Sequence, residues 1–152
     1  MIDFVVDSSI VAKWVIDEPG SEQARELIAP TFFLRAPDLI VSELTNVLWK
    51  KAARLDLSKE QVIERLDTIL RDHIDVTVHL LPARILSRRA LQIALATGRS
   101  GSDCRYLAAA VQSHCRLITA DERFLRSIQD TTLRNHIVSL GSKSSQGHHD
   151  DC

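Results

Sequence analysis

The chain lacks several features that mark well-known classes of protein. It has no apolar run long enough to span a membrane, and no basic-then-apolar segment of the kind that begins a signal peptide. Its cysteines, Cys104, Cys115 and Cys152, are odd in number and form no CxxC pair, which argues against a disulfide framework or a zinc ribbon. GxGxxG and P-loop motifs are also missing. We therefore expect a cytoplasmic protein that does not engage a membrane.

The bulk composition is typical of one ordinary globular domain. The chain has 152 residues, 45% of them hydrophobic and 26% charged. Its formal net charge of −1 gives no overall attraction for nucleic acid. After residue 140 the sequence turns to Ser, Gly, His and Asp without an apolar anchor. We expect a folded domain over residues 1–140 and a flexible tail over 141–152, whose His and Asp side chains bind metal only incidentally.

Short apolar segments alternate with segments of helical periodicity along the whole domain. The predicted strands are 4–7, 31–34, 76–80, 117–120 and 137–140. The first predicted helix begins at residue 8, and the others cover 21–30, 38–55, 58–70, 83–97, 103–114 and 122–129. Such alternation predicts an α/β fold with a parallel sheet that is covered by helices on both faces.

Two aspartates directly follow apolar strands. Asp7 ends the run FVVD and Asp121 ends the run LITAD. Because ligands bind at the carboxyl ends of parallel strands, both carboxylates are candidates for a functional site. Each could instead serve only as the N-cap of the following helix. Thr119 is placed to orient Asp121 or to help hold a metal-bound water.

A polar stripe on the predicted helix 38–55 supplies a third acid. Glu43 is followed at helical spacing by Asn46, Lys50 and Arg54, opposite an apolar stripe. A solvated face with helical charge pairs is the commoner meaning of such a row. The functional interpretation places Glu43 near a metal with Asn46 beside it, while Lys50 and Arg54 extend toward a phosphate backbone.

Asp103 is the fourth acid and opens a predicted helix. It shares a face with Leu107 and Ala110, which should pack on the sheet, so its carboxylate should point over the top edge of that sheet. Ser102 is available as the helix cap, and a cap shared between the two residues is the alternative.

Four carboxylates at one edge of a sheet would repel one another unless a cation lay among them. Oxygen ligands of this kind suit Mg²⁺ or Mn²⁺ and not zinc, so we predict a divalent-metal site for phosphodiester chemistry. Neutralising the four acids would leave the rest of the chain net positive. Arg99 and Arg105 then join Lys50 and Arg54 as candidates for contacts with the backbone of a nucleic acid.

Four stretches of the chain match a known family in order and spacing. They are VVDSS at 5–9, APD at 36–38 with ELTNVL at 43–48, SDCRYLAAA at 102–110, and ITADERFL at 118–125. The chain resembles the PIN-domain ribonucleases, and most closely the VapC-type toxins of bacterial toxin–antitoxin pairs. In the third stretch, Cys104 and Arg105 stand where the family usually has small or apolar residues, while the pattern Asp-x-x-Tyr-Leu-Ala is retained.

The resemblance implies a fold, an activity and partners. It implies a three-layer α/β/α sandwich and an endoribonuclease that depends on Mg²⁺ or Mn²⁺, the toxin of a type II toxin–antitoxin pair. Asp7 and Asp103 would be direct metal ligands, and Glu43 and Asp121 would complete the site directly or through waters. The family also implies a homodimer and an antitoxin protein that blocks the site.

Two other functions compete with this interpretation. The first is a catalytically inactive PIN-like module that binds RNA or a protein. The second is a phosphoryl-transfer enzyme or receiver domain with an acidic pocket at the same sheet edge. The first strand lacks the Asp-x-Asp of haloacid-dehalogenase enzymes, and no lysine directly follows a late strand as receivers require.

Overall fold

The computed structural model describes residues 1–145, without the side chains of residue 131 and of residues 143–145. Five parallel strands form one sheet in the order β3-β2-β1-β4-β5. The strands are β1 (Ile2–Val6), β2 (Phe32–Pro37), β3 (Val78–Leu81), β4 (Arg116–Thr119) and β5 (Ile137–Ser139).

Helices connect the strands and cover the sheet. They are α1 (Ser8–Val15), α2 (Ser21–Glu26), α3 (Ile40–Arg54), α4 (Lys59–Thr68), a π-helix (Ile69–Ile74), α5 (Asp75–Thr77), α6 (Ala83–Thr97), α7 (Gly101–Gln112), α8 (Glu122–Ser127), α9 (Thr131–Arg134) and a 3-10 helix (Leu140–Ser145). The predicted α/β fold with a central parallel sheet is confirmed, and the helices make it an α/β/α sandwich.

Several local signals in the sequence act as predicted. Ser58 and Gln61 form a capping box at the start of α4. Gly98 ends α6 in the left-handed conformation, with φ of 71°, where a residue without a Cβ carries no steric cost.

Other boundaries differ from prediction. The segment predicted as the start of a strand at 76 still belongs to the helical stretch that ends at Thr77, and the exposed Val76 has no place in the sheet. Helix α7 begins at Gly101 after an N-cap at Ser100, so Ser102 is not its cap. The short helix α9, capped by Asp130, was not predicted. The predicted tail begins as a 3-10 helix, and residues 146–152 lie outside the described part of the chain.

The strand order creates a topological switch point beside β1, where the candidate site lies. The chain moves from β1 outward to β2 and β3, and then returns to the other side of β1 for β4 and β5. Ligands bind at such a switch point, just outside the carboxyl ends of the strands. Val6 is paired with Ile118 across it, so the residues that follow these two strands emerge side by side.

Helix α7 covers the centre of the sheet and carries part of the site. It packs against β1, β2 and β4 and along α6. Leu107 and Ala110 are fully buried, as the predicted inward face requires, and Cys104 and Cys115 are buried free thiols. Within residues 1–145, no helix combines the length and apolar character needed to cross a membrane.

We predict that Leu107→Ala will destabilise the protein far more than Leu95→Ala. Leu107 is completely buried under the sheet, so its truncation should lower the free energy of unfolding by about 2–5 kcal/mol. Leu95 on the neighbouring helix is 79% exposed, and its loss should cost less than about 0.5 kcal/mol. Urea unfolding measures both, and equal losses would contradict this packing.

Candidate active site

Asp7 is the buried centre of the candidate site. It follows β1, is 7% exposed, and has both carboxylate oxygens engaged. Ser9 Oγ donates to Oδ1 at 2.5 Å, Thr119 Oγ1 donates to Oδ2 at 2.5 Å, and the backbone N–H of Ile10 donates to Oδ1 at 3.2 Å. The last bond is that of an N-cap, so Asp7 both caps α1 and lies at the switch point.

Burial dominates the electrostatics of Asp7. It raises the pKa of the carboxyl to about 6, although the hydrogen bonds from Ser9, Thr119 and Ile10 act in the opposite direction. The negative charge of Asp121 raises the pKa further. A cation beside Asp7 would favour the ionised form and relieve this cost.

Two hydroxyls fix Asp7 by joining it to the end of β4. Ser9 Oγ accepts from the N–H of Ala120 at 3.1 Å, and Thr119 Oγ1 accepts from the N–H of Asp121 at 3.0 Å. Thr119 therefore orients the carboxylate of Asp7 and not that of Asp121. Thr119 is 1% exposed, and its contact with a substrate stays a prediction.

Glu43 lies in the first turn of α3 and is half-buried. Tyr106 on α7 donates its hydroxyl to Oε2 of Glu43 at 2.6 Å, and Ser8 provides a second side-chain hydrogen bond. Burial raises the pKa of Glu43, and these two hydroxyls lower it in part. The pKa of Tyr106 is raised by its own burial and by Glu43, so its phenol is a neutral donor. The predicted residues did not include Ser8 or Tyr106.

Asp103 stands in the first turn of α7. Arg99 donates from Nη2 to its Oδ2 at 2.8 Å. The same guanidinium lies over the ring of Phe124, with 5.2 Å from Cζ to the ring centroid. Asp103 in turn raises the pKa of Glu43 by charge repulsion.

Asp121 is the exposed member of the set. Its Oδ1 accepts from the N–H of Phe124 at 2.9 Å, which caps α8. Its charge acts on Asp7. The cap that the sequence suggested as an alternative role is present.

In the structure the charges of the four acids act on one another in two pairs. Asp7 repels Asp121, and Glu43 repels Asp103, while Tyr106 feels the charges of both Asp7 and Glu43. In the described part of the chain, however, no three His, Cys, Asp or Glu side chains lie close enough to one another to hold a metal ion. The donors fit Mg²⁺ or Mn²⁺ in kind, since all are oxygens and the buried one has a raised pKa. Binding would require the two pairs to close together.

The other predicted substrate-binding residues differ in their exposure. Asn46, Lys50 and Arg54 are exposed on the stripe of α3 that begins with Glu43. Arg105 is half-buried and its charge lowers the pKa of Glu43. Their contact with a substrate stays a prediction.

We predict that, without metal, the stability of the protein will depend on pH through the buried carboxylate of Asp7. Because its pKa of about 6 in the folded protein exceeds the ordinary 3.8, the folded state binds more protons between these values and loses stability as the pH rises. In EDTA, the stability of the wild type relative to Asp7→Asn should fall by about 2–3 kcal/mol between about pH 4 and pH 8. Urea unfolding across this range measures the difference, and a difference independent of pH would contradict the burial.

Comparison with known proteins places the chain in a family. The model of the PIN domain matches residues 4–127. Ribonuclease VapC3 of Pyrobaculum aerophilum is 31% identical over 119 residues, which cover 78% of this chain and 89% of the relative.

Two solved structures share the fold at low sequence identity. PAE2754 from Pyrobaculum aerophilum has a TM-score of 0.56 and 19% identity, over 93% of this chain and 92% of that one. VapBC2 from Rickettsia felis, bound to a DNA fragment from their promoter, has a TM-score of 0.60 and 13% identity, over 91% of this chain and 98% of that one. With the family match over most of its length and the ribonuclease relative, the chain belongs to the PIN-domain family.

Proposed function

We propose that this protein is an endoribonuclease dependent on Mg²⁺ or Mn²⁺, and the toxin of a type II toxin–antitoxin pair. The observation that carries the proposal is the buried Asp7 at the switch point, which two hydroxyls hold in place and which feels the charge of the exposed Asp121. Tyr106, which donates to Glu43, also feels the charge of Asp7 and so links it to the second acidic pair. The 31% identity with a ribonuclease supports RNA as the substrate. Residues 1–140 are the proposed nuclease domain.

The four acids have distinct proposed roles in this reaction. Asp7 and Asp103 would hold the divalent cation, with Glu43 and Asp121 completing its surroundings. The cation would neutralise charge on the scissile phosphate and activate a water molecule, so that hydrolysis leaves a 3′-hydroxyl and a 5′-phosphate.

The protein's own contribution is to orient these carboxylates before substrate arrives. Ser9 and Thr119 hold Asp7 in one rotamer, and Tyr106 holds Glu43. Asp121 is exposed and has Oδ1 engaged by the N–H of Phe124, so we assign its Oδ2 to accept the proton of the attacking water.

The basic residues around the acids would bind the RNA backbone. Lys50 and Arg54 extend from α3 on the stripe that begins with Glu43, and Asn46 lies between them and the acid. Arg99 and Arg105 approach from the side of α7. Contacts to phosphate are independent of base identity, so these residues would provide affinity without sequence specificity.

An antitoxin and a second copy of the chain are the proposed protein partners. One structure with the same fold is a VapBC2 complex bound to promoter DNA. We propose a corresponding antitoxin protein that blocks the acidic site of this chain, and a homodimer as the active form.

An inactive PIN-like module that binds RNA or a protein is the second candidate. It is favoured by the absence, within residues 1–145, of any three acidic, histidine or cysteine side chains placed to hold a metal. The presence of all four acids favours the enzyme. Metal-dependent turnover discriminates between the two functions.

We predict that the purified protein will cleave total RNA with Mg²⁺ or Mn²⁺ and not with EDTA. Asp7→Asn and Asp103→Asn should each abolish cleavage, because each removes a charged ligand of the cation. Asp72→Asn is the matched control, since Asp72 is also paired with an arginine but lies on the π-helix. Gel analysis of the RNA and circular dichroism of each variant measure cleavage and folding.

The outcomes separate the two functions. Cleavage that needs metal, survives in Asp72→Asn and is lost in the other two variants supports the nuclease and its site. Full cleavage by folded Asp7→Asn would falsify the assignment of the acids. A folded wild type, free of bound antitoxin, that binds RNA without cleaving it under any metal would support the inactive module.

We further predict that Lys50→Gln/Arg54→Gln will weaken RNA binding and its dependence on salt. Each lost phosphate contact should reduce the slope of log affinity against log salt by about 0.7 for single-stranded RNA, or roughly 1.4 for two contacts. Fluorescence anisotropy of a labelled oligoribonucleotide in EDTA measures binding without cleavage. Lys59→Gln/Arg71→Gln, on exposed positions of α4 and the π-helix, is the control, and an equal change in both double variants would reject this surface.

A further inference from the structure

The side chain of Arg99 contacts one of the acids, Asp103, and lies over the ring of Phe124. Its backbone lies in the segment between α6 and α7, and its guanidinium donates to Oδ2 of Asp103 at 2.8 Å. Cζ of the guanidinium lies 5.2 Å from the ring centroid of Phe124, whose backbone N–H donates to the cap residue Asp121. Arg99 thus contacts Asp103 directly, and it also contacts the first turn of α8, which Asp121 caps.

The hydrogen-bond donor to Asp103 differs in charge from the donors to the other three acids. Asp7 is held by hydroxyls and a backbone N–H, Glu43 by the hydroxyls of Tyr106 and Ser8, and Asp121 by a backbone N–H; all of these donors are neutral. Asp103 is held by a cation. Because Asp103 repels Glu43, this cation also offsets repulsion within the second acidic pair.

The ion pair is accessible and engages one oxygen of the carboxylate. Arg99 and Asp103 have side-chain exposures of 27% and 37%, so a hydrated cation can approach from solvent. The hydrogen bond joins Nη2 to Oδ2. A divalent cation that drew the two acidic pairs together would lie near this guanidinium. Two cations that contact one carboxylate repel each other.

We propose that Arg99 is the resident counter-cation of the site, which neutralises Asp103 in the metal-free protein and competes with the divalent cation for it. This inference rests on the proposed function, in which Asp103 is a metal ligand. On metal binding, the guanidinium leaves Oδ2 and becomes available to a phosphate of the RNA. Arg99 therefore lowers metal affinity while it supports RNA cleavage.

The competition predicts that one substitution at Arg99 will raise the affinity for metal and lower the rate of RNA cleavage. Arg99→Gln removes a positive charge next to a ligand, so Mn²⁺ should bind about fivefold more tightly, as expected for a charge a few ångströms away in a largely solvated setting. The same variant should cleave RNA more slowly at saturating Mn²⁺, because the phosphate contact is lost. A residue that only kept the site folded or aligned would lower both metal affinity and cleavage when removed. Arg99→Lys keeps the charge and should bind Mn²⁺ as the wild type does.

The chain contains a closely matched control at Arg35. This arginine is paired with Asp3 at 3.1 Å and lies over the ring of Phe33, with 4.6 Å from Cζ to the centroid. Its Nε, like that of Arg99, is buried without a hydrogen-bond partner among the described residues. Arg35 belongs to β2 and pairs with a residue of β1 far from the carboxyl end of that strand. Arg35→Gln thus removes a similar cation away from the site.

The experiment is a titration of Mn²⁺ into the purified metal-free protein, followed by electron paramagnetic resonance of the unbound ion. The wild type, Arg99→Gln, Arg99→Lys, Arg35→Gln and Asp103→Asn are compared, and melting temperatures with and without Mn²⁺ give a second measure of the same affinities. Tighter binding in Arg99→Gln, with wild-type affinity in Arg99→Lys and Arg35→Gln, supports the proposal.

The remaining outcomes overturn specific statements. Unchanged or weaker Mn²⁺ binding by Arg99→Gln overturns the competition, provided that Asp103→Asn weakens binding and so confirms Asp103 as a ligand. A wild type that binds no Mn²⁺, or an Asp103→Asn variant that binds it as well as the wild type does, overturns the proposed metal site itself. Tighter binding in Arg35→Gln as well would show an effect of net charge and would also overturn the specific role of Arg99.

Discussion

The burial of one carboxylate at the end of the central strand constrains the whole arrangement. Asp7 is almost completely enclosed, and an ionised group in such a place is costly unless polar partners surround it. Those partners come from two elements, because Ser9 belongs to α1 and Thr119 to β4. Each hydroxyl also accepts a hydrogen bond from a backbone N–H in the segment after β4. The contacts that satisfy Asp7 therefore also join β1, α1 and β4 at the switch point.

Around this centre, the acids are arranged by depth. Asp7 is buried, Glu43 and Asp103 are half-buried, and Asp121 is exposed. Neutral hydroxyls hold the deeper carboxylates, where an unpaired charge would be most costly, and an arginine holds Asp103 nearer the surface.

Helix α7 links the stability of the fold to the order of the site. Asp103 and Tyr106 lie three residues apart near its start, and both affect Glu43, one through charge and the other through a hydrogen bond. Leu107 then packs into the core beneath the sheet. A shift of this helix would displace an acid and the donor that orients another at the same time.

The sequence by itself determined the fold class and most of the elements, because strand periodicity, the capping box of α4 and the glycine that ends α6 are local signals. It also predicted the four acids, whose role stays a proposal. The resemblance in four short stretches is confirmed by the family match. Only the tertiary structure decided how the acids are held. Thr119 meets Asp7 across 112 positions and Tyr106 meets Glu43 across 63, and such contacts depend on the register of β1 with β4 and on the packing of α7. The ion pair of Arg99 with Asp103 is local in sequence, but its place over Phe124 is not. Spacing along a chain predicts which residues share a face, whereas the partner of a buried polar group is fixed by the neighbouring elements that enclose it.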